Sequence, residues 1–332
     1  MIVPARSALS RRHFLAATAG IATLARHSFA HAQTQDVALQ LSWLHSVQFA
    51  GSYVAQERGF WQEEGLAVTL MPGGPNAPVE PPVAAGTALI GISAADYAAN
   101  AVAAGAPFRI IGVAMQKNPF AIASLATAPV REPADLKGRR IGMALANTPV
   151  LQALCRLNGV DIESIEIVPT QYDIAPLIAG QVDCLLCWET DLPVAMTVRG
   201  IDNVTMLLAD YGYSIHSQTY IATDDSIANR RAELVGLLRG EARGWDAVAA
   251  DTPAAVRLTL DRFADQGLDP AVQELQAERQ KPLMYSADTQ AHGFGWFSDA
   301  SVAANVETLA LIGKSATPQL WNRSLIEEAH GR

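Results

Sequence analysis

Acidic side chains follow one apolar run of the sequence at the point where it gives way to a helical pattern. In "DCLLCWETDLP", Trp188, Glu189 and Asp191 come directly after a segment that is typical of a buried strand. The carboxylates of Glu189 and Asp191 can accept hydrogen bonds from an amino group, and such a bond contributes about 1.5–3 kcal/mol when water is excluded. A solvated acidic loop is the competing interpretation, and the buried strand before it makes that interpretation weaker.

Other candidate ligand contacts occupy similar strand-end positions. They are Ser93 and Asp96 in "GISAADYAAN", Gln116 in "IGVAMQ", Asn147 and Thr148 in "ALANTPVL", and Asp210 and Tyr211 in "LLADYGY". Small polar residues at such junctions are also ordinary helix caps, so both interpretations stay open. The candidates include no cluster of Lys or Arg, which argues against sulfonate, nitrate or phosphate ligands. Backbone N–H groups at helix ends can nevertheless bind anions without basic side chains.

Patterns typical of catalysis or metal binding are weak. "GISAA" departs from a nucleophile elbow because Ala95 replaces the final glycine that the tight turn needs. The four histidines after residue 32 form no pair at metal-binding spacing. Cys184 and Cys187 lie three apart on a predicted strand and should point to opposite faces, so with Cys155 we interpret them as small core residues. We therefore expect a binding protein without a cofactor or metal.

The first 32 residues have the pattern of an export signal. "SRRHFLAATAGIATLA" contains an arginine pair and then an apolar run that is too short to span a membrane, and Ala30-His31-Ala32 fits a signal-peptidase site. No acidic residue occurs in residues 1–32, against four arginines. These features predict a twin-arginine-type signal peptide over 1–32, cleavage near Ala32 and a periplasmic location.

The remaining 300 residues carry 20 basic and 33 acidic side chains, a formal charge of about −13. Such a surface is a poor partner for nucleic acid. Three cysteines do not make a disulfide framework for an oxidising compartment. This length is enough for two domains.

The pattern of elements is that of an α/β protein with largely parallel sheets. Apolar runs at 109–116, 140–145 and 203–209 are typical of buried strands, and helical runs separate them. "PPVAAGTALIGIS" and "APLIAGQVDCLLC" share a helix end, a glycine stop at Gly86 or Gly180 and a following strand. This repeat predicts two similar halves. We expect the chain to cross between them within 123–129 and 219–225, and residues 232–250 to form a helix that buries Trp245.

Six segments together resemble a known family. They are "FAGSYVAQERGFWQEEGLAVTL" with Trp43 before it, the "PGGPN" turn, "PADLKGRRIG", "VPTQYDIAPLIAGQVD", "LLADYGYSIHSQTYIAT" and "GFGWFSD". In this order they are similar to the thiamine-pyrimidine-precursor-binding-like family of ABC-transporter solute receptors, which is related to nitrate, sulfonate and taurine receptors. The resemblance covers nearly the whole chain after residue 32.

The resemblance implies a periplasmic binding protein of the second topological type. Two Rossmann-like lobes, residues 33–124 plus 223–332 and residues 125–222, would close on a solute across a two-segment hinge. It implies that Trp43 stacks on a flat heteroaromatic ring, with Gln48 and Phe49 facing the same cleft, whereas composition alone favours a core role for Trp43. Tyr53 could equally belong to the core.

The implied function is delivery of a small heteroaromatic solute to an inner-membrane ABC permease with its cytoplasmic ATPase, by a monomeric receptor. The first expectation for the solute is a thiamine pyrimidine precursor such as hydroxymethylpyrimidine or formylaminopyrimidine. Riboflavin or another flavin-like ligand, and sulfonate, taurine or nitrate, are alternatives, and a pyrimidine-synthesising enzyme of the same fold is a further one. The chain departs from the family at Gln48-Phe49 and at Glu189–Pro193, where other pyrimidine receptors tend to have Asn-His and Tyr-Asn-Glu-Pro. These departures put the ligand in question.

Overall fold

The computed structural model describes Met1, residues 34–74 and residues 77–332. The predicted export signal therefore lies outside the described residues. Residues 35–332 form one compact unit. No helix of the described residues is long and apolar enough to cross a membrane.

In the described part of the chain, ten strands form two five-stranded sheets. The strands are β1 Gln35–Gln40, β2 Leu66–Met71, β3 Ile90–Ala94, β4 Phe108–Met115, β5 Phe120–Leu125, β6 Arg140–Met143, β7 Glu166–Pro169, β8 Cys184–Trp188, β9 Asn203–Leu207 and β10 Ser217–Thr223. Sheet 1 has the order β2-β1-β3-β10-β4, and sheet 2 has the order β7-β6-β8-β5-β9. In each sheet one strand, β10 or β5, is antiparallel to both neighbours. Four of the five strands in each sheet run in one direction, but two of its four pairings are antiparallel, so the sheets are mixed and not largely parallel as expected.

Fourteen helices surround the sheets within the described residues. They are α1 Ala50–Glu57, α2 Phe60–Glu63, α3 Glu80–Ala84, α4 Ala95–Ala103, α5 Thr148–Asn158, α6 Ala175–Ile178, α7 Leu192–Val198, α8 Asp224–Asn229, α9 Arg231–Ala250, α10 Thr252–Arg262, α11 Pro270–Met284, α12 Ala287–His292, α13 Asp299–Leu311 and α14 Ser324–Ala329. The predicted helix at 232–250 corresponds to α9, and Trp245 is buried as expected.

Glycines explain two features of this packing. Gly86 and Gly180 end α3 and α6 with φ of 72° and 68°, the left-handed conformation that the repeat predicted. Gly244 of α9 lies so close to α1 that a Cβ there would be 2.1 Å from the Gly51 carbonyl oxygen. Only glycine permits this approach, which brings α9 onto the first helix after β1.

The cysteines are part of the core. Cys155, Cys184 and Cys187 are all buried and free, and burial raises the pKa of the Cys184 thiol to about 12. A thiol whose pKa is raised in this way is a poor nucleophile. Their interpretation as small core residues is confirmed.

The chain passes between the two sheets through two short segments, 116–119 and 208–216. Both were expected several residues later, but Phe120–Leu125 pairs with β8 and β9, and Ser217–Thr223 pairs with β3 and β4. These two apolar segments belong to strands because each lies between two other strands of its sheet, in the fourth of five positions. After β10 the chain returns to sheet 1, where Trp321 forms a bridge with Ile110, while α11 and α13 also contact α7 and α5 beside sheet 2.

Candidate functional site

The topology brings the carboxyl ends of the parallel strands of both sheets to the same region. β4 ends at Met115 and β5 begins at Phe120, while β9 ends at Leu207 and β10 begins at Ser217. Because β5 and β10 are antiparallel to their neighbours, each starts at the carboxyl-end edge of its own sheet. Both crossings therefore join one carboxyl-end edge to the other. Ligands of open α/β sheets bind beyond these edges.

Large apolar side chains are exposed at this edge. Trp43 and Leu44 follow β1, Leu145 follows β6 and Tyr172 follows β7, with exposed fractions of 44, 53, 58 and 53%. Apolar groups that converge at exposed strand ends are typical of a binding surface.

The loop that carries Trp43 is held against the loop after β2. The amide of Gln40 donates hydrogen bonds to the carbonyl oxygens of Leu41 and Pro72, both at 3.0 Å. The Gly73 N–H donates to the Trp43 carbonyl oxygen at 3.0 Å, and a Cβ on Gly73 would lie 2.5 Å from the Trp43 nitrogen. The backbone of Trp43 is thus fixed while its ring remains exposed.

The acidic segment after β8 is built into a polar network. Glu189 Oε1 accepts a hydrogen bond from Arg279 at 3.0 Å, while Glu189 Oε2 is buried and has no hydrogen-bond partner among the described residues. Asp191 Oδ2 accepts from the Tyr172 hydroxyl at 2.9 Å, and Asp191 Oδ1 accepts from the Gln276 amide at 3.4 Å. The Trp188 ring lies edge-on to the Phe120 ring, with 6.3 Å between the ring centroids.

These carboxylates are partly removed from water. Burial raises the pKa of Asp191 to about 6, and the hydrogen bond from Tyr172 offsets part of that effect. Burial also raises the pKa of Asp96 in the first turn of α4, an effect that the charge of Lys314 reduces. A ligand N–H group that hydrogen-bonds to such a carboxylate favours its ionised form.

Several predicted contacts have structural partners instead. The Gln116 amide donates to the carbonyl oxygens of Val113 and Trp296 at 2.9 and 3.1 Å and accepts from Ser286. The Ser93 hydroxyl donates to Glu80. These bonds use the polar groups of Gln116 and Ser93 to hold neighbouring segments together.

Two side chains of the turn after β9 also have partners within the protein. Asp210 forms an exposed ion pair with Lys117 at 2.9 Å, which joins the two crossings. The Tyr211 hydroxyl donates to the Arg131 carbonyl oxygen at 2.8 Å. Both side chains thus have partners within the protein.

Phe49 lies in the hydrophobic core with none of its surface exposed, and not at the cleft, because the turn at Val47–Phe49 directs its ring inward. Gln48 is 5% exposed in the same turn. Tyr53 is fully buried and its hydroxyl lies 2.9 Å from His45 Nδ1. The sequence places these residues correctly at the strand-to-helix junction but does not determine which of them face solvent.

Asn147 and Thr148 begin α5 at the carboxyl end of β6, and both are partly exposed. The Thr148 hydroxyl donates to the Leu145 carbonyl oxygen at 2.7 Å, while Asn147 makes no capping bond with its side chain. The Thr148 side chain is thus bonded to the backbone before the helix, whereas the Asn147 side chain does not cap the helix.

Tyr172 and three residues of α11 were not identified from the sequence. Tyr172 follows β7, a four-residue strand whose apolar pattern is too short to detect, and the sequence signal for it is an aromatic residue beside Asp173 before a helix-starting proline. Gln273, Gln276 and Arg279 lie more than 80 residues from the groups that they contact in the loops after β1 and β8. Local patterns carry no information on such pairings.

A cavity of about 580 Å³ lies elsewhere, lined by residues that include Arg109, Asp299 and Arg323. Arg109 pairs with Ala222 at the opposite end of sheet 1 from Ser217. Arg109 and Arg323 are neutralised by Asp224 and Asp299. This cavity is separate from the strand-end edge. In the described part of the chain, no group of three or more His, Cys, Asp or Glu side chains could hold a metal ion.

Comparisons with known proteins agree with this fold. The formylaminopyrimidine-binding protein of Halalkalibacterium halodurans is 22% identical over 79% of this chain and 80% of its own length. The riboflavin-binding protein RibY of Chloroflexus aurantiacus is 24% identical over 79% of this chain and 76% of its own length. The periplasmic aliphatic sulphonate binding protein SsuA from Escherichia coli has a TM-score of 0.66 at 15% identity, covering 84% of this chain and 92% of that chain.

The structural similarity shows that the chain has the fold of periplasmic binding proteins, which confirms the fold expected from the sequence. The family model described as "NMT1/THI5 like" matches residues 46–255. The chain belongs to the NMT1/THI5-like family.

Proposed function

We propose that this protein is the solute-binding receptor of an ABC importer and that its solute is a small nitrogen heteroaromatic compound. Sheets 1 and 2 would be the cores of two lobes that close on this solute across the crossings at 116–119 and 208–216. A thiamine pyrimidine precursor is the first candidate, and a flavin is the second. The relatives that bind formylaminopyrimidine and riboflavin support this class of solute.

One observation carries the proposal: exposed aromatic rings and desolvated carboxylates converge at the strand-end edge. Trp43 and Tyr172 offer flat surfaces on which a ring can stack. Glu189 Oε2 lacks a donor among the described residues, and Asp191 lies beside Tyr172. A heterocycle with N–H donors would satisfy both kinds of group.

Anionic solutes fit these groups less well. Arg279 is paired with Glu189, and Lys117 is paired with Asp210. Neither cation is therefore free for a sulfonate, nitrate or taurine, although the fold is shared with a sulphonate receptor. These anions remain the alternative that a binding experiment must include.

The proposal extends to transport and to the absence of catalysis. Residues 1–32 would direct export to the periplasm, and the closed receptor would deliver its solute to a membrane permease and its ATPase. A ligand shifts the open and closed forms only by its difference in affinity for them. A synthase of the same fold would convert its substrate, whereas a receptor would release the solute unchanged.

The test is a thermal-shift screen of residues 33–332 with hydroxymethylpyrimidine, formylaminopyrimidine, riboflavin, taurine, an alkanesulfonate and nitrate. A compound present at 100 times its dissociation constant should stabilise the protein by about 2.7 kcal/mol, which raises the melting temperature by several degrees. The bound compound is then recovered by denaturation and identified by mass spectrometry.

Stabilisation by a pyrimidine or by riboflavin, with the compound recovered unchanged, supports the proposal. Stabilisation by the anions alone would overturn the heteroaromatic class and assign recognition to backbone N–H groups at helix ends. Recovery of a chemically altered compound would overturn the receptor role.

A further inference from the structure

Tyr172 combines an exposed ring with a fixed hydroxyl. The side chain is 53% exposed, yet its hydroxyl donates to Asp191 Oδ2 at 2.9 Å and accepts from the Trp188 backbone N–H at 3.1 Å. The exposed surface therefore belongs mainly to the ring. Because the hydroxyl both donates and accepts a hydrogen bond within the protein, the orientation of the exposed ring is fixed.

The two hydrogen bonds tie the loop after β7 to the segment between β8 and α7. Tyr172 follows β7, Trp188 ends β8, and Asp191 precedes α7. Asp191 also accepts from Gln276 of α11, and Gln276 accepts from Gln273, which in turn accepts from the Val47 N–H. A continuous hydrogen-bonded chain thus runs from the loop after β7 to the turn after β1.

We propose that Tyr172 is a specificity-determining residue: its ring forms the wall that sheet 2 presents to a heteroaromatic solute, and its hydroxyl positions Asp191 to accept a ligand N–H. This inference rests on the proposed function and deepens it. Trp43 is the exposed ring on sheet 1, and Tyr172 is its counterpart on sheet 2. A flat ring that fits between two aromatic walls is bound by stacking on both faces.

The charge environment of Asp191 agrees with this role. Tyr172 lowers the pKa of Asp191, while burial raises it to about 6. Glu189 and Cys187 lie on the same segment, and the charge of Arg279 from α11 is directed to Glu189. The Tyr172 hydroxyl therefore favours the ionised form of Asp191, which is the form that accepts hydrogen bonds from a ligand.

The first experiment compares affinities for the panel compound that stabilises the wild-type protein most, measured by isothermal titration calorimetry. Tyr172→Ala should weaken binding by about tenfold, and Tyr172→Phe should weaken it less because the ring remains. Ile178→Ala is the matched control, since Ile178 is 48% exposed at the far end of α6. If the affinity of Tyr172→Ala lies within twofold of the wild-type affinity, the proposal that the Tyr172 ring contacts the solute is overturned.

The second experiment needs no ligand and separates the inference from the proposed function. The stability that protonation of Asp191 confers is present below its ordinary pKa and is lost as pH rises towards about 6. In Tyr172→Phe the pKa of Asp191 should rise further, so the melting temperature should fall below that of the wild type increasingly from pH 5 to pH 8. In an Asp191→Asn background the same substitution should have an effect independent of pH.

These outcomes are distinguishable. If no panel compound binds the wild type, the proposed solute class fails, and the pH series decides whether Tyr172 positions Asp191. If a compound binds and the melting difference between Tyr172→Phe and the wild type is the same at every pH, the role of the hydroxyl is overturned.

Discussion

At the scale of single residues, Trp43 differs from the other five tryptophans. Trp61, Trp245 and Trp321 are buried, and Trp188 and Trp296 are partly buried, whereas Trp43 is 44% exposed. Its backbone is nevertheless fixed by Gly73. An exposed tryptophan on a rigid loop contributes little to folding and is available for a ligand.

Replacing Trp43 with Ala should therefore weaken binding of an aromatic solute without weakening the fold. Loss of one stacked ring corresponds to about 0.5–1.5 kcal/mol beyond the buried area, so the dissociation constant should rise at least about 2- to 12-fold. Calorimetric titration measures the affinity and thermal melting checks the fold. Trp43→Phe should retain part of the affinity, and an unchanged affinity in Trp43→Ala would contradict the stacking role.

Glu241 is a buried carboxyl in the core beside sheet 1. Its Oε1 accepts hydrogen bonds from Ser52, Tyr220 and Trp245 at 2.7, 3.0 and 3.2 Å, while Oε2 is buried without a partner among the described residues. Burial raises the pKa of Glu241 from 4.5 to about 7. The stability from its protonated form is thus complete below pH 4.5 and is lost as pH rises towards 7.

Glu241→Gln removes this titration while keeping the shape of the side chain. The free energy of unfolding of the wild type, relative to the variant, should decrease by about 3 kcal/mol between pH 4 and pH 8. Urea denaturation at both pH values measures this difference, because other titrating groups cancel between the two proteins. A relative stability that does not change with pH would contradict the raised pKa.

At the scale of elements, α11 joins the two strand-end loops. Arg279 donates to Glu189 and to Thr197, and Gln280 donates to the Val47 carbonyl oxygen at 2.9 Å. The helix therefore contacts the turn after β1 with one set of side chains and the loop after β8 with another. Its position links the strand-end segments of sheet 1 to those of sheet 2.

Arg279→Gln should destabilise the protein by about 1–3 kcal/mol, because Glu189 then keeps a partly buried charge without its partner. Glu189→Gln in the same background should recover part of that loss. Urea denaturation of the wild type, both single variants and the double variant gives the coupling energy. Strictly additive effects would show that the ion pair does not contribute to the contact between α11 and the loop after β8.

Local patterns predicted the elements well where a single residue type is decisive. Gly86 and Gly180 marked helix ends, and the periodicity of 232–250 identified α9. The crossings were expected at 123–129 and 219–225, which overlap strands β5 and β10, because the pairing of these strands depends on partners far along the chain. The hydrogen bond from Gln116 to the Trp296 carbonyl oxygen could not be predicted for the same reason, since the two residues lie 180 positions apart.

At the scale of the whole molecule, Asn118 joins the two crossings by hydrogen bonds. Its amide donates to the Ile215 carbonyl oxygen at 2.7 Å and to the Ser217 hydroxyl at 3.1 Å, and its Oδ1 accepts from the Phe120 N–H at 2.9 Å. Asn118 is 3% exposed. The side chain of Asn118 therefore joins the two segments that would form a hinge.

Asn118→Ala should leave the Phe120 N–H and the Ile215 carbonyl oxygen buried without partners, at a cost of about 1–3 kcal/mol each. Asn118→Asp keeps the acceptor for Phe120 but places a buried carboxylate oxygen against the Ile215 carbonyl oxygen, so at neutral pH it should be no more stable than Asn118→Ala. Urea denaturation of the three proteins provides the comparison. Equal stability of the wild type and Asn118→Ala would show that the hydrogen bonds of Asn118 do not stabilise the protein.

The family and the fold could be predicted from the sequence because six segments carry the resemblance in order, and the α/β architecture follows from apolar runs that alternate with helical ones. The assignment of Trp43 and the segment at 188–191 to the site stays a prediction. The partners of Asp191 could not be predicted, because they depend on how Tyr172 and Gln276 meet in three dimensions.

The two crossings also determine how the chain could be recombined. All five strands of sheet 2 lie between residues 120 and 207, and Lys117 and Asp210 meet at 2.9 Å where this stretch leaves and re-enters sheet 1. Sheet 2 as a whole is thus a cassette with adjacent ends. A chimaera that replaces this cassette with that of a relative would exchange Tyr172 and the acidic segment after β8 while retaining Trp43, so the proposed contributions of the two sheets to specificity could be measured separately.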